Sequence, residues 1–139
     1  MMALPSWSED LRSALDEKMG LELVELSAQR SAGRMPVAGN TQPFGFWHGG
    51  ASCVLAETLA SMSGFALVGP GGGVFGVDIN ATHHAPARDG WVHGVATAIH
   101  LGGRIGTYEV ILTNDSGDRL CTARVTVYLQ RPRGMTDDG

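Results

Sequence analysis

From Gly49 to about Phe65 the chain is helix-permissive and almost wholly small or apolar, and it carries a single charge, Glu57. A helix that is apolar on every side has to be surrounded by other structure. The downstream sequence can supply that cover. Four runs with period-two character follow, Val74–Thr82, Trp91–His100, Ile105–Asn114 and Leu120–Leu129, and turn-rich loops separate them: Ala85–Gly90, Leu101-Gly102-Gly103 and Asp115–Asp118. Loops this short predict an antiparallel meander. One buried helix ahead of four long strands predicts an α+β domain whose sheet wraps the helix.

The upstream part adds smaller pieces. Ser6-Trp7-Ser8-Glu9 fits a capping box, and Leu11, Leu15 and Met19 recur on one face before Gly20, which predicts one short amphipathic helix as a lead-in over residues 1–20. Leu21–Ser27 alternates as a strand, and Met35-Pro36-Val37 reads as a weaker one, with Ser31-Ala32-Gly33 as their turn. Gly64 and the Gly69–Gly73 cluster are expected to end the long helix. Residues 131–139 read as a flexible tail.

At 139 residues with 43% hydrophobic content, one core and one domain over 1–139 are expected. A net charge of -4 with scattered basic residues argues against a nucleic-acid or membrane-surface partner. The uncharged run Thr41–Ala56 is broken by Pro43, glycines and His48, and no secretory pattern opens the chain, so the expected compartment is cytoplasmic. Cys53 and Cys121 form neither a zinc pattern nor a disulfide framework.

Several motifs mislead. Gly71-Gly72-Gly73-Val74-Phe75-Gly76 matches Gly-x-Gly-x-x-Gly, but a dinucleotide loop needs a strand before it and a helix after it, and the order here is reversed. His83, His84, His93 and His100 lack a metal-set spacing, so no metal is expected. No Gly-x-Ser-x-Gly elbow is present.

The chemistry concentrates around Glu57. Its neighbours one helical turn away are Cys53, Val54, Ala60 and Ser61, small or apolar groups that leave the carboxylate poorly hydrated, and Ser61 shares its face and can hold it or a water. Gly49-Gly50 at the helix start exposes backbone N–H groups at the positive end of the dipole, where an oxyanion is stabilised. His48 precedes that end and can orient it. Gln42 can donate a second hydrogen bond to the same oxygen. Glu57 lies eight residues past Gly49, roughly 12 Å at ~1.5 Å per residue, too far for one chain to attack and polarise the same carbonyl. If both act in one reaction, the site is shared across a two-fold interface.

The segments Gln42-Pro43-Phe44-Gly45, His48-Gly49-Gly50-Ala51-Ser52, Ala56-Glu57, Val77-Asp78-Ile79-Asn80-Ala81 and His100-Leu101-Gly102-Gly103-Arg104 resemble the hotdog-fold acyl-CoA thioesterases. The likeness is to the branch with the glutamate-dependent 4-hydroxybenzoyl-CoA, 1,4-dihydroxy-2-naphthoyl-CoA and enterobactin proofreading thioesterases. It implies that Glu57 is nucleophile or general base, that Gly49 and Gln42 polarise the thioester carbonyl, that His48 positions that end and that Ser61 supports the carboxylate. It implies CoA contacts at His83, Asn80 and the Gly102-Gly103-Arg104 turn, with Phe44 and Met62 toward the acyl group. It further implies hydrolysis of an acyl-CoA bearing an aromatic or other ring, no cofactor beyond the CoA of the substrate, and a homodimer with shared sites that pairs into a tetramer. Two other readings remain: a non-catalytic acyl-CoA sensor, and a hotdog dehydratase, whose His-Phe-Pro segment is missing here.

Overall fold

In a computed structural model, residues 4–11 and 13–132 are described. A 3-10 segment Ser6–Leu11 leads to helix α1 (Ala14–Met19), strands β1 (Glu22–Leu26) and β2 (Arg30–Pro36), helix α2 (Gly49–Val68), and strands β3 (Gly73–His83), β4 (Trp91–Leu101), β5 (Ile105–Thr113) and β6 (Arg119–Gln130). The six strands form one antiparallel sheet in the order β1-β2-β4-β5-β6-β3. The sheet curls around α2, giving the expected α+β hotdog arrangement.

Half of the 20 residues of α2 are buried, Leu55, Leu59, Ala56 and Ala60 completely. Inward residues of the strands close over them: Met35, Val92, Ala96, Tyr108, Val110, Leu112, Val125 and Val127. Removing one such leucine side chain costs about 2–5 kcal/mol, because the surrounding layers cannot collapse fully into the hole. By length and composition α2 would suffice to cross a bilayer, a run longer than the Thr41–Ala56 stretch weighed from sequence; here the sheet, not lipid, meets its apolar surface. The Tyr108 hydroxyl donates to the Ala28 carbonyl at 2.7 Å, and burial pushes its pKa up to about 12. Ser31 Oγ donates to the Leu59 carbonyl at 2.7 Å and ties β2 to the middle of the helix.

Four expectations need correction. The lead-in is not one helix from Ser6. Ser13 Oγ accepts from the Asp16 N–H at 3.0 Å and starts α1 afresh, and Gly20, at φ 77°, closes it in the left-handed region. The β1–β2 turn lies at Ser27–Arg30, where Ser27 Oγ and the Arg30 backbone bond in both directions, so Ser31-Ala32-Gly33 runs inside β2. Gly64 does not end α2; it sits where the Val74 side chain packs against the helix backbone, and a Cβ there would come within 2.9 Å of Val74. Finally, only β4-β5-β6 is a meander. The 84–90 loop carries the chain from one edge of the sheet to its interior, so β3 pairs with β6 and becomes an edge strand. Arg131 is held, with its Nε donating to the Gly103 carbonyl at 3.3 Å, and the rest of the expected tail, 133–139, lies outside the described residues.

Candidate active site

The N-terminus of α2 is built by the loop before it. Trp47 is buried, its indole N–H donates to Ser52 Oγ at 2.6 Å, and its backbone N–H donates to the Ala87 carbonyl at 2.8 Å. That bulky residue therefore anchors the loop to the core. His48 is the N-cap: Nδ1 accepts from the Gly50 N–H at 2.8 Å, which assigns the ring proton of the neutral form to Nε2. The Gly50 donor is thereby consumed, and among the described residues the Gly49 N–H has no acceptor. His83, at the end of β3, lies against this point. A Cβ on Gly49 would come within 2.9 Å of His83 Nε2, so only glycine admits the imidazole there.

Gln42 folds its own loop. Its Oε1 accepts from the Phe44 N–H at 2.7 Å and the Phe46 N–H at 3.0 Å. Two backbone donors on one side-chain atom identify it as the oxygen, which leaves the amide NH₂ as the outward donor. No described group accepts from that NH₂.

Glu57 occupies the helix face turned to β3. Its carboxylate lies over Gly76, where a Cβ would sit 3.0 Å from Oε1 and 3.1 Å from Oε2. Beside this seat the register with β6 slips between Gly76 and Asp78, making Val77 the extra residue of a bulge. Glu57 makes no hydrogen bond or ion pair with any described residue, and Ser61, one turn on, does not bond it directly. Cys53 lies one turn before Glu57, and the Cys121 thiol is pushed up mainly by burial and so stays protonated and inert.

The substrate-side residues fall in separate places. His83 joins the Gly49 end. The Gly102-Gly103-Arg104 turn lies at the opposite end of the sheet, where Arg131 and the Arg104 carbonyl tie it to the last residues of β6. Those residues pair with Gly73 at the start of β3, ten positions from His83, or roughly 33 Å along the strand at ~3.3 Å per residue. Asn80 is on the outer sheet face, because its neighbours Ile79 and Ala81 pack inward. Phe44 is 83% exposed. Met62 lines a cleft of about 560 Å³ between α2, β1 and the N-terminal segment, with Thr58, Leu11, Leu21 and Leu23 among its walls. A single chain thus assembles Gln42, His48, Gly49 and His83 as one group and Glu57 with Ser61 as another. The sequence reading missed Gly76; an isolated glycine within a strand pattern, the cue for a bulge or close approach, was there to find it.

Among the described residues no group of His, Cys, Asp and Glu has the arrangement of a metal site.

Comparison with known proteins agrees with this architecture. A proofreading thioesterase, EntH, of Klebsiella pneumoniae is 42% identical over 108 residues, covering 77% of this chain and 79% of the relative. A thioesterase structure from Haemophilus influenzae superposes with a TM-score of 0.85 at 31% identity, covering 94% of this chain and 92% of the other. A Staphylococcus aureus thioesterase superposes with a TM-score of 0.82 at 29% identity, over 85% of this chain and 99% of that one. It was solved as a glutamine-to-alanine variant and, separately, as a glutamate-to-alanine variant, at positions 15 apart (47 − 32). The family model described as the thioesterase superfamily matches residues 44–121, more than half of the chain. The protein belongs to the thioesterase superfamily.

Proposed function

We propose that the protein hydrolyses an acyl-CoA with an aromatic or ring-bearing acyl group to the free acid and CoA. The observation that carries this reading is the Glu57 carboxylate, seated on Gly76 with no partner among the described residues. A carboxylate left without hydrogen bonds at the edge of an apolar core is costly as structure and useful as a reactant. The spacing of Gln42 and Glu57 (57 − 42 = 15) is that of the two positions replaced in the Staphylococcus aureus enzyme, which supports treating them as one working pair.

The reaction runs between two copies. Gly49 and Glu57 are too far apart on one helix, whereas β3 is an 11-residue edge strand with Phe75 and Val77 each 58% exposed. Antiparallel pairing of two β3 edges about a two-fold axis brings the Gly76 seat of one copy alongside the His83–Gly49 end of the other. The Gly49 N–H and the Gln42 NH₂ then hold the thioester oxygen. Glu57 of the other copy either takes a proton from water as it attacks the carbonyl, or attacks directly to give an anhydride that water opens; in both, the C–S bond breaks and the thiolate leaves. The cleft beside Met62 lies on the β1 side of α2 and is walled also by Glu9, Asp16, Glu17 and Glu22, so the acyl group is assigned instead to the apolar surface beside Glu57 at the β3 edge. Pairing of dimers into a tetramer and a cytoplasmic location complete the proposal; the two cysteines, both free, fit a reducing compartment.

The test is thiol release across benzoyl-, hydroxynaphthoyl-, phenylacetyl- and straight-chain acyl-CoA, with preference expected for the ring-bearing set. Single turnover in ¹⁸O-water that leaves label in Glu57 establishes direct attack with water opening the anhydride at the glutamyl carbonyl, and rapid-quench trapping of an acylated Glu57 detects direct attack when water opens it at the acyl carbonyl instead. Tight binding of every thioester without turnover would instead identify a sensor.

A further inference from the structure

We propose that Arg88 is a specificity-determining residue that binds a phosphate of the substrate's thiol carrier; the inference rests on the hydrolase reading above. The Arg88 guanidinium lies over the Phe46 ring, 4.5 Å from its centroid. Phe46 belongs to the loop that holds the oxyanion donors: its N–H is one of the two that grip Gln42 Oε1, and its carbonyl accepts from the Gln42 N–H at 2.8 Å. On the other side, the Trp47 N–H reaches the carbonyl of Ala87, the residue before Arg88, and Ala87 is itself buried. The exposed guanidinium is therefore held beside the loop of Gln42 and His48 by its ring contact with Phe46 and by the hydrogen bond of the preceding Ala87 carbonyl.

Its charge is unanswered. The ion pairs among the described residues are Arg30–Glu25, Arg34–Glu22 and His93–Asp115. Arg88 makes none, although the chain carries a net charge of -4 and carboxylates are plentiful. Stacking uses the face of a guanidinium and leaves the N–H groups on its edge free, the edge that pairs in bidentate fashion with phosphate. A stacked arginine has also lost much of its side-chain freedom in advance, so an arriving anion has less ordering to do. The neighbouring helix N-terminus adds positive potential of the same sign. A thioester held at Gly49 and Gln42 trails its carrier out of the site past this loop. The group it meets there is the phosphate that CoA and the phosphopantetheine arm of a carrier protein have in common.

The experiment compares one acyl group on CoA, on 4′-phosphopantetheine and on pantetheine. For Arg88→Ala, kcat/KM for the CoA thioester relative to the pantetheine thioester is expected to fall at least tenfold, through KM, with partial recovery in Arg88→Lys. An equal fall for phosphopantetheine assigns the contact to the phosphate on the arm, and a fall confined to CoA assigns it to the nucleotide end; either supports a phosphate contact. A ratio equal to the wild-type value, or a loss in kcat shared by all three substrates, would overturn the proposal and reduce Arg88 to a brace for Phe46. Calorimetric binding of CoA against pantetheine keeps the two readings apart. If no thioester turns over yet Arg88→Ala weakens CoA binding selectively, the hydrolase reading fails alone; if thioesters turn over and neither ratio nor binding depends on Arg88, this inference fails alone.

Discussion

The sheet has two edges, and they are finished in opposite ways. β1 is five residues long, and its outward side carries two ion pairs to β2, Arg30–Glu25 at 2.9 Å and Arg34–Glu22 at 2.9 Å; the second guanidinium also stacks on Trp91, 3.8 Å from the ring centroid. Short length and charge are the usual means of discouraging a further strand. β3 is 11 residues long, lacks ion pairs with described residues and exposes Phe75 and Val77. An edge left open in a molecule that closes its other edge argues for a partner at the open one. Glu57, the candidate reactive group, faces the open edge.

The largest expected effect comes from the reactive group on that edge. Glu57→Gln keeps the shape and removes the charge and basicity, so kcat should fall by about three orders of magnitude or more while substrate binding persists; single-turnover thiol release measures it. Next is the edge itself. Val77→Asp puts like charges on both copies across the proposed pairing, and sedimentation should show monomer with activity lost in parallel. Val24→Asp on β1, where Val24 is 39% exposed, serves as the control and should leave assembly intact. An active Val77→Asp monomer would sink the shared site.

Gly76→Val tests the seat of the carboxylate. The new side chain must displace Glu57, since even a Cβ would meet Oε1 at 3.0 Å, and a misplacement on the order of 1 Å corresponds to about 100-fold in kcat. Thermal melting should change far less. The smallest effect belongs to the closed edge: Arg34→Ala removes an exposed ion pair and a ring contact, and should cost at most about 1 kcal/mol by denaturant titration, with no change in activity.

The long helix was legible in the sequence because it is an almost unbroken run of small and apolar residues, and β4, β5 and β6 because inward and outward residues alternate along them. The hidden parts depended on local competition or on pairing at a distance. Ser13 competes with Ser6 to start a helix, and both carry acceptable cap patterns. Ser31 reads as a turn residue in sequence, yet its hydroxyl is satisfied by the Leu59 carbonyl 28 positions away. The place of β3 at the edge could not be read, because a seven-residue loop permits either a hairpin or a crossing. In the candidate site, Gln42, His48, Gly49 and Glu57 are the residues that type and spacing single out, and the structure gathers Gln42, His48 and Gly49 at the start of α2 while Glu57 stands apart on Gly76. The stack of Arg88 on Phe46 and the packing of His83 on Gly49 are contacts between segments remote in sequence, and no local pattern encodes them.

The order of the strands also bears on how the chain is made. α2 is complete once Val68 has been synthesised, but β4, β5, β6 and β3 close over it only after Gln130 exists, 62 residues later (130 − 68). At translation rates of about 5–20 residues per second that interval is roughly 3–12 s. At its start a helix apolar on nearly all sides has only β1 and β2 to lean on; β4 and β5 can add to β2 as they emerge, and β6 with β3 completes the cover last. The nascent chain should therefore be a client for holding chaperones during that window, and slowing translation beyond Val68 should lower the soluble yield of a protein that, once finished, has its most apolar element packed under the sheet.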